Sequence, residues 1–339
     1  MNYMRIIFKK FKARMIVGCI LAVIALLAVS VIVFINQASF GRTPRGERLE
    51  RVMKSPNYRN GEFKNQHETL LMTSDRGRFS GIWEFIFRKI DGLRPKQAVK
   101  AIKTDLRKID RNEEILVWFG HSSYLIQTGG KRILVDPVFC MASPVSFVNK
   151  PFKGTELYTP DDMPDIDYLV ISHDHWDHLD YNTVKKLKDR IGAVICPLGV
   201  GEHFEYWGFD KERLIELDWN EDANLAPGFM IHCLPARHFS GRGLTANQSL
   251  WASFLLETPS QKIYIGGDGG YDTHYAEIGN RFPDIDLVIL ENGQYNEEWS
   301  LIHLMPQYMA QTARDLKAKR VLTVHHSKYC LLYTSDAAD

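Results

Sequence analysis

Between residues 15 and 35 the chain runs for 21 positions without a charge, dominated by Ile, Val, Leu and Ala. That matches the roughly 20 residues a helix needs to cross a hydrocarbon core of ~30 Å. From residue 115 the pattern changes to short apolar runs separated by turn residues. Runs at 115–119, 124–127, 132–135 and 167–172 predict strands, and Thr128, Gly129, Gly130 and Lys131 predict a hairpin turn. Residues 182–191 predict a helix. Strands and helices then alternate through 193–196, 201–207, 214–217, 230–234, 249–257 and 262–266. A strand at 287–290, a helix at 306–317 and a strand at 321–324 close the series. Two strand-rich halves with helices outside predict an α/β (α+β) chain folded as an αββα sandwich. There is no internal repeat and no low-complexity tract.

Ahead of this domain, assigned to residues 111–329, the pattern divides into a basic leader (1–14), the apolar segment (15–35) and a linker with N-terminal extension (36–110). Residues 36–65 carry Gly41, Pro44, Gly46, Pro56, Asn57, Asn60 and Gly61, which predict irregular chain. Phe79, Trp83, Phe85, Ile86 and Phe87 precede a basic stretch at 96–111. Two readings fit there: an amphipathic helix on a membrane surface, or a helix packed on the domain. The apolar segment is longer than a signal peptide core, and no small-x-small cleavage site follows it. It is therefore expected to be an uncleaved, single-pass anchor. Arg5, Lys9, Lys10, Lys12 and Arg14 place the N-terminus in the cytoplasm and the domain on the extracytoplasmic side. Arg42, Arg45, Arg48, Arg51 and Lys54 on the other flank weaken that bias. Residues 330–339 read CLLYTSDAAD, the in-frame translation of a transposon-end sequencing adapter. The native sequence is expected to diverge at about Tyr329, leaving the domain truncated.

Composition narrows the function. A chain of 339 residues with 45% hydrophobic content can bury a large core. Its formal net charge of +1 supplies no basic field for nucleic acid, so no nucleic-acid partner is expected. The five cysteines form no CxxC pair, which excludes a zinc ribbon and a disulfide framework.

His173, Asp174, His175, Trp176, Asp177 and His178 follow the strand at 167–172 directly. A lone histidine is usually a satisfied structural residue. Three imidazoles and two carboxylates within six residues, at a strand end, are a metal-ligand arrangement. His173 and His175 can converge on one ion, and Asp177 and His178 can turn to a second. Further ligands are expected at later strand ends, at His238 and at Asp268, where a carboxylate could bridge two ions.

The HxHxDH motif resembles the signature of the metallo-β-lactamase superfamily. Trp118 to Ser123 (WFGHSS), Ile133 to Phe139 (ILVDPVF), Ala142-Ser143-Pro144 and Leu179 to Asn182 (LDYN) resemble its N-acylphosphatidylethanolamine phospholipase D-like branch. So do Pro197-Leu198-Gly199, Glu216 to Trp219 (ELDW) and Gly266 to Tyr271 (GGDGGY), the last with Gly269 where that branch carries Thr. The resemblance is collinear over about residues 40–329. It implies a metallo-β-lactamase αββα sandwich with two Zn2+ per chain. His173, His175 and His238 would hold one ion; Asp177, His178 and His325 would hold the other, with Asp268 bridging. It makes His325, and not His326, the ligand of that pair. It also implies that Trp176 lies near substrate and that His303 contacts phosphate or donates a proton. His121 is expected to orient a ligand, and His232 to be structural. His67, His203 and His274 are expected at the surface or in packing.

The function expected from this is a membrane-anchored binuclear zinc hydrolase of a phosphodiester, in a phospholipid, acting by metal-hydroxide attack with Asp177 or His303 handling protons. Its partners would be the lipid bilayer and a phospholipid or other small phosphodiester or ester substrate. A lactonase or ester hydrolase of the same fold is the enzymatic alternative. A non-catalytic, metal-stabilised membrane-associated protein is the third, disfavoured because every expected ligand is present. Oligomeric state is not assigned.

Overall fold

The computed structural model describes residues 2–73, 94–145, 148–293 and 295–329. The chain divides into two units, Met1–Phe40 and Gly41–Asp339. The first is a single long helix, α1 (Asn2–Ile35), ending in a 3-10 turn at Ala38–Phe40. Lys10–Ile35 within it is long and apolar enough to cross a membrane, and its apolar side chains face outward, Leu26 by 67%.

The second unit begins with helix α2 (Gly46–Lys54) and a small hairpin, β1 (Tyr58–Arg59) and β2 (Glu62–Phe63). One six-stranded sheet follows: β3 (Ile115–Trp118), β4 (Tyr124–Thr128), β5 (Lys131–Val135), β6 (Ile166–Val170), β7 (Ile191–Pro197) and β8 (Leu214–Leu217), in that order. The crossovers from β6 to β7 and from β7 to β8 carry helices α3 (Tyr181–Leu187) and α4 (Gly201–Tyr206). The second sheet holds β9 (Asp222–Ala226), β10 (Phe229–Leu234), β11 (Ser253–Glu257), β12 (Lys262–Ile265), β13 (Leu287–Glu291) and β14 (Val321–Val324), again neighbours in chain order. Helices α5 (His274–Arg281) and α6 (Pro306–Asp315) precede β13 and β14.

Alternation along the strands explains the layering. Tyr124, Ile126, Ile133, Val135 and Val170 of the first sheet share one buried cluster with Ile231, Phe254, Ile263 and Ile265 of the second. That cluster is the core between the sheets. The intervening residues Leu125, Leu134 and Leu169 face outward and pack with Val184 and Leu187 of α3 and Phe204 of α4. Leu255, Tyr264 and Val288 do the same with Tyr275 and Ile278 of α5. The result is the αββα sandwich of the metallo-β-lactamase fold. Strands β5 to β8 are mutually parallel, as are β12 to β14, so their carboxyl ends gather on one rim of each sheet.

Two expectations need correction. Residues 41–73 are not a linker, and the compact unit starts well before residue 111. Val52 of α2 and Phe63 of β2 are fully buried in the inter-sheet core. Arg48 lies 2.6 Å from Glu216, 2.7 Å from Glu202 and 2.9 Å from Glu205. Asn60 and Gly61, expected in irregular chain, have φ of +57° and +83° and form the tight turn of the β1–β2 hairpin. The adapter-like tail (330–339) and the aromatic stretch at 79–87 lie outside the described residues.

Candidate metal centre

The loop leaving β6 carries His173 to His178, and its neighbours are the ends of five other strands. His121 follows β3, His238 follows β10, Asp268 follows β12, Glu291 ends β13 and His325 follows β14. Two backbone bonds stitch the sheets together here: His121 N donates to His326 O at 2.9 Å, and His325 N donates to His121 O at 3.0 Å. This convergence needs unusual backbone. His121, Asp136 and His325 have φ of +53°, +40° and +70°, a conformation that costs a non-glycine residue about 1–3 kcal/mol. Gly267, at φ +61°, leads into Asp268; a Cβ there would come within 2.8 Å of the Ser172 side chain.

Two clusters of ligand atoms result. In the first, His173 Nε2 and His238 Nε2 lie 2.9 and 3.2 Å from His175 Nδ1. In the second, Asp177, His178 and His325 gather with His121, whose Nε2 is 3.1 Å from Asp177 Oδ2. Asp268 sits between them, with Oδ2 at 3.0 Å from His325 Nε2, 3.2 Å from His178 Nε2 and 3.9 Å from His238 Nε2. All these side chains are buried or nearly so.

The donor set fits divalent metals. His178 Nε2, His325 Nε2 and Asp268 Oδ1 are buried without a hydrogen-bond partner. Both imidazole nitrogens approach Asp268 closely, yet neither has the alignment of a hydrogen bond. Atoms left in that state are costly unless something else satisfies them, and a shared cation does so. Imidazole and carboxylate donors suit zinc and iron alike.

Supporting partners fix the rings. Asp136 Oδ2 lies 2.8 Å from His178 Nδ1, and the same oxygen accepts from Ser172 Oγ at 2.6 Å. Ile302 O accepts from His238 Nδ1 at 2.7 Å. Burial opposes charge on His121, His173, His175, His178 and His238. It holds His173 and His238 well below the usual imidazole range, helped by the neighbouring imidazoles. It lowers His121 to about 3, with His325 adding to the effect. Around His178, Asp268, Asp136 and Asp177 overcome burial and raise its pKa well above 6.5.

A cavity of about 310 Å³ opens over the centre, lined by His175, Asp177, His238, Asp268, His303 and His325. His303 is brought there by the 3-10 turn Glu297–Trp299 and the residues after it. Its Nδ1 lies 2.7 Å from Glu291 Oε2, and Glu291 outweighs burial to raise the His303 pKa. Trp176 is not among the described residues lining the cavity. Its indole donates to Arg242 O at 3.2 Å, and the Arg242 guanidinium stacks over its ring at 4.1 Å. Alternation within a tight ligand loop turns Trp176 away while His175 and Asp177 face in. Among the described residues, Phe239 and Trp299 bring aromatic carbocycles to the cavity.

The remaining histidines do not line the cavity. His326 turns outward, packs on Trp118 and lies 2.7 Å from Ser327 Oγ. His232 is 2.5 Å from Asp222. His203 holds the buried Asp174 at 3.1 Å. His67 lies 2.9 Å from Asp272, and His274 is buried. Sequence reasoning omits Glu291, although it ends an apolar strand as Asp268 nearly does. It also gives Asp136 no role, and it misses Phe239 and Trp299, whose signal is only proximity to His238 and His303.

A sandwich with two such ligand clusters at one rim defines a metal-dependent hydrolase of the metallo-β-lactamase fold. Residues 131–326 match the Beta-lactamase superfamily domain, and the chain belongs to the metallo-β-lactamase superfamily. It is 38% identical over 269 residues to an uncharacterized protein, Rv0906, of Mycobacterium tuberculosis, across 78% of this chain and 71% of that one. It is 29% identical over 229 residues to N-acyl-phosphatidylethanolamine-hydrolyzing phospholipase D 1 of Caenorhabditis elegans, covering 62% of this chain and 63% of the relative. Among solved structures it resembles CmlA, a diiron beta-hydroxylase from Streptomyces venezuelae, with a TM-score of 0.50 and 20% identity over 63% of this chain and 45% of that one.

Proposed function

We propose that this protein is a binuclear zinc phosphodiesterase acting on a phospholipid, held at the bilayer by α1 with its catalytic unit on the extracytoplasmic side. The observation that carries the reading is a carboxylate, Asp268, shared by two ligand clusters beneath a cavity whose inner wall also presents His303. The relative named as a phospholipase D supports the substrate class. His173, His175 and His238 would hold one ion, and Asp177, His178 and His325 the other. Bound metals would supply Lewis acidity at the phosphoryl oxygen and an activated water.

The chain's own residues then have distinct tasks. Asp177, with 19% of its side chain exposed, borders the cavity and is placed to accept a proton from attacking water. Glu291 holds His303 by Nδ1, which leaves Nε2 for a phosphoryl or leaving-group oxygen. His121 and Asp136 keep Asp177 and His178 in place.

The test is product analysis of the purified full-length chain on a panel of phospholipids, N-acylated ones included, with and without chelator. Release of phosphatidic acid, abolished by chelation and restored by zinc, is the expected result. Release of free fatty acid alone, or opening of a lactone in place of phosphodiester cleavage, would replace this reading with an ester hydrolase.

A further inference from the structure

Residues 65–73 lie ahead of the superfamily-matched region, yet they are laid across the metal centre and fastened at four places. Asn65 Oδ1 accepts from His238 N at 3.1 Å and from Trp251 Nε1 at 3.0 Å, and Asn65 Nδ2 donates to His238 O at 2.8 Å. His67 Nδ1 lies 2.9 Å from Asp272. Arg237 donates to Thr69 Oγ1 and to Glu68 O, each at 2.9 Å. Thr73 N donates to Glu298 O at 2.9 Å. Between the last two fastenings, Leu71 and Met72 line the cavity together with Phe239, Trp299 and Ile302.

The cavity therefore has two chemistries. Its floor is imidazole and carboxylate, and its rim is apolar. Leu71 is 36% exposed and the adjoining Leu70 56%, a water-facing apolar patch beside a charged centre. A small polar substrate would leave that rim wet. An amphiphile with an anionic head would satisfy both zones, and the unbranched Met72 side chain can adapt to a flexible chain.

We propose that residues 65–73 form a substrate-selecting strap whose Leu71 and Met72, with Phe239, Trp299 and Ile302, take a linear alkyl or acyl chain attached to the reacting head group. This deepens the lipid reading above and rests on it for the identity of the head group. Asn65 has a linked part: it ties the strap to the backbone of His238, so the collar and one ligand keep a fixed spacing.

The test uses the full-length, metal-loaded chain in amphipol and two non-hydrolysable probes, methylphosphonate and hexylphosphonate. Both stay monomeric in water, and calorimetry gives their affinities. The wild type should bind hexylphosphonate at least about tenfold more tightly, since several methylenes leave water. The Leu71→Ser, Met72→Ser double variant should narrow that ratio to about threefold or less while binding methylphosphonate as before. Both positions face the cavity outside the buried core, and an unchanged melting temperature would confirm that the variant is folded. Equal affinity of the wild type for the two probes would overturn the proposal. So would a ratio unchanged in the variant, or an equal loss for both probes. Because no turnover is measured, failure of the lipid panel sinks the phosphodiesterase reading and leaves this result standing, and the reverse also holds.

Discussion

The two ligand clusters share the loop after β6 but differ in charge. His173, His175 and His238 offer three imidazoles, two of them held well below the ordinary imidazole range. The cluster of Asp177, His178 and His325 carries its own carboxylate and shares Asp268, and the carboxylates around its His178 favour the charged ring and raise its pKa. One cluster is ready to bind a cation without releasing protons but brings no charge of its own to compensate it. The other compensates charge but must first give a proton up. The difference shows why Asp268 stands between them: it lends the imidazole cluster the negative charge that cluster lacks.

Asp268→Asn tests that sharing most severely. Removing the shared charge should cost on the order of 10³-fold in kcat, the several kcal/mol that Lewis-acid stabilisation supplies. Circular dichroism should be unchanged, because the sandwich core does not include Asp268. Activity near wild type would reduce Asp268 to a turn residue. Asp136→Asn should act most on the cluster of His178, which it touches directly, and less on His173, which it reaches through Ser172 Oγ. It loosens His178 and should weaken that metal equivalent by about 10–100-fold, more than it weakens the other. Competition with a graded series of chelators reads this directly; equal weakening of both equivalents would erase the distinction.

Acidification should separate the clusters by a smaller margin. Metal competes with protons for the same nitrogens. His178, with its pKa raised, is reprotonated as pH falls from above neutrality, whereas His173 and His238, with theirs lowered, stay neutral. Metal content followed between about pH 8 and pH 5.5 should show one equivalent leaving first. Simultaneous loss, or retention of the Asp136-dependent equivalent, would contradict the assignment. The smallest effect is expected from His326→Ala. Its ring faces Trp118, away from the cavity, so activity should change by about twofold or less. A loss comparable to that of His325→Ala would mean that the two adjacent histidines exchange roles.

The inner layers of this fold are legible in sequence because strands buried on both faces are continuous apolar runs. Ile133 to Val135 and Ile263 to Ile265 are of this kind; the edge strands Leu214–Leu217 and Val321–Val324 are only partly buried, yet they are predicted with the bounds they have in the structure. Asp222–Ala226, with sequence DANLA, is a sheet edge with little apolar signal, and its pairing to Phe229–Leu234 is what makes it a strand. Helix α2 is charged along most of its length and owes its place to Arg48 and Val52 meeting residues far along the chain. The ligand loop was visible because its chemistry is local. Glu291, Asn65 and Leu71 reach the centre only through tertiary folding, and Trp176 packs on Arg242 because adjacency in sequence does not set the direction of a side chain.

The stitch between His121 and the 325–326 turn also bears on the order in which the chain matures. The three imidazoles of the first cluster are in place once residue 238 has folded, and the shared Asp268 follows at the end of β12. The carboxylate cluster waits for His325, supplied by the last described strand. Binding there closes a loop of well over a hundred residues, from His178 to His325, where the entropy of the unassembled chain is greatest. An incompletely folded chain could therefore capture its first metal early, but only the finished sandwich can clasp the second. Full metal loading thus becomes a record that the two sheets have closed on each other.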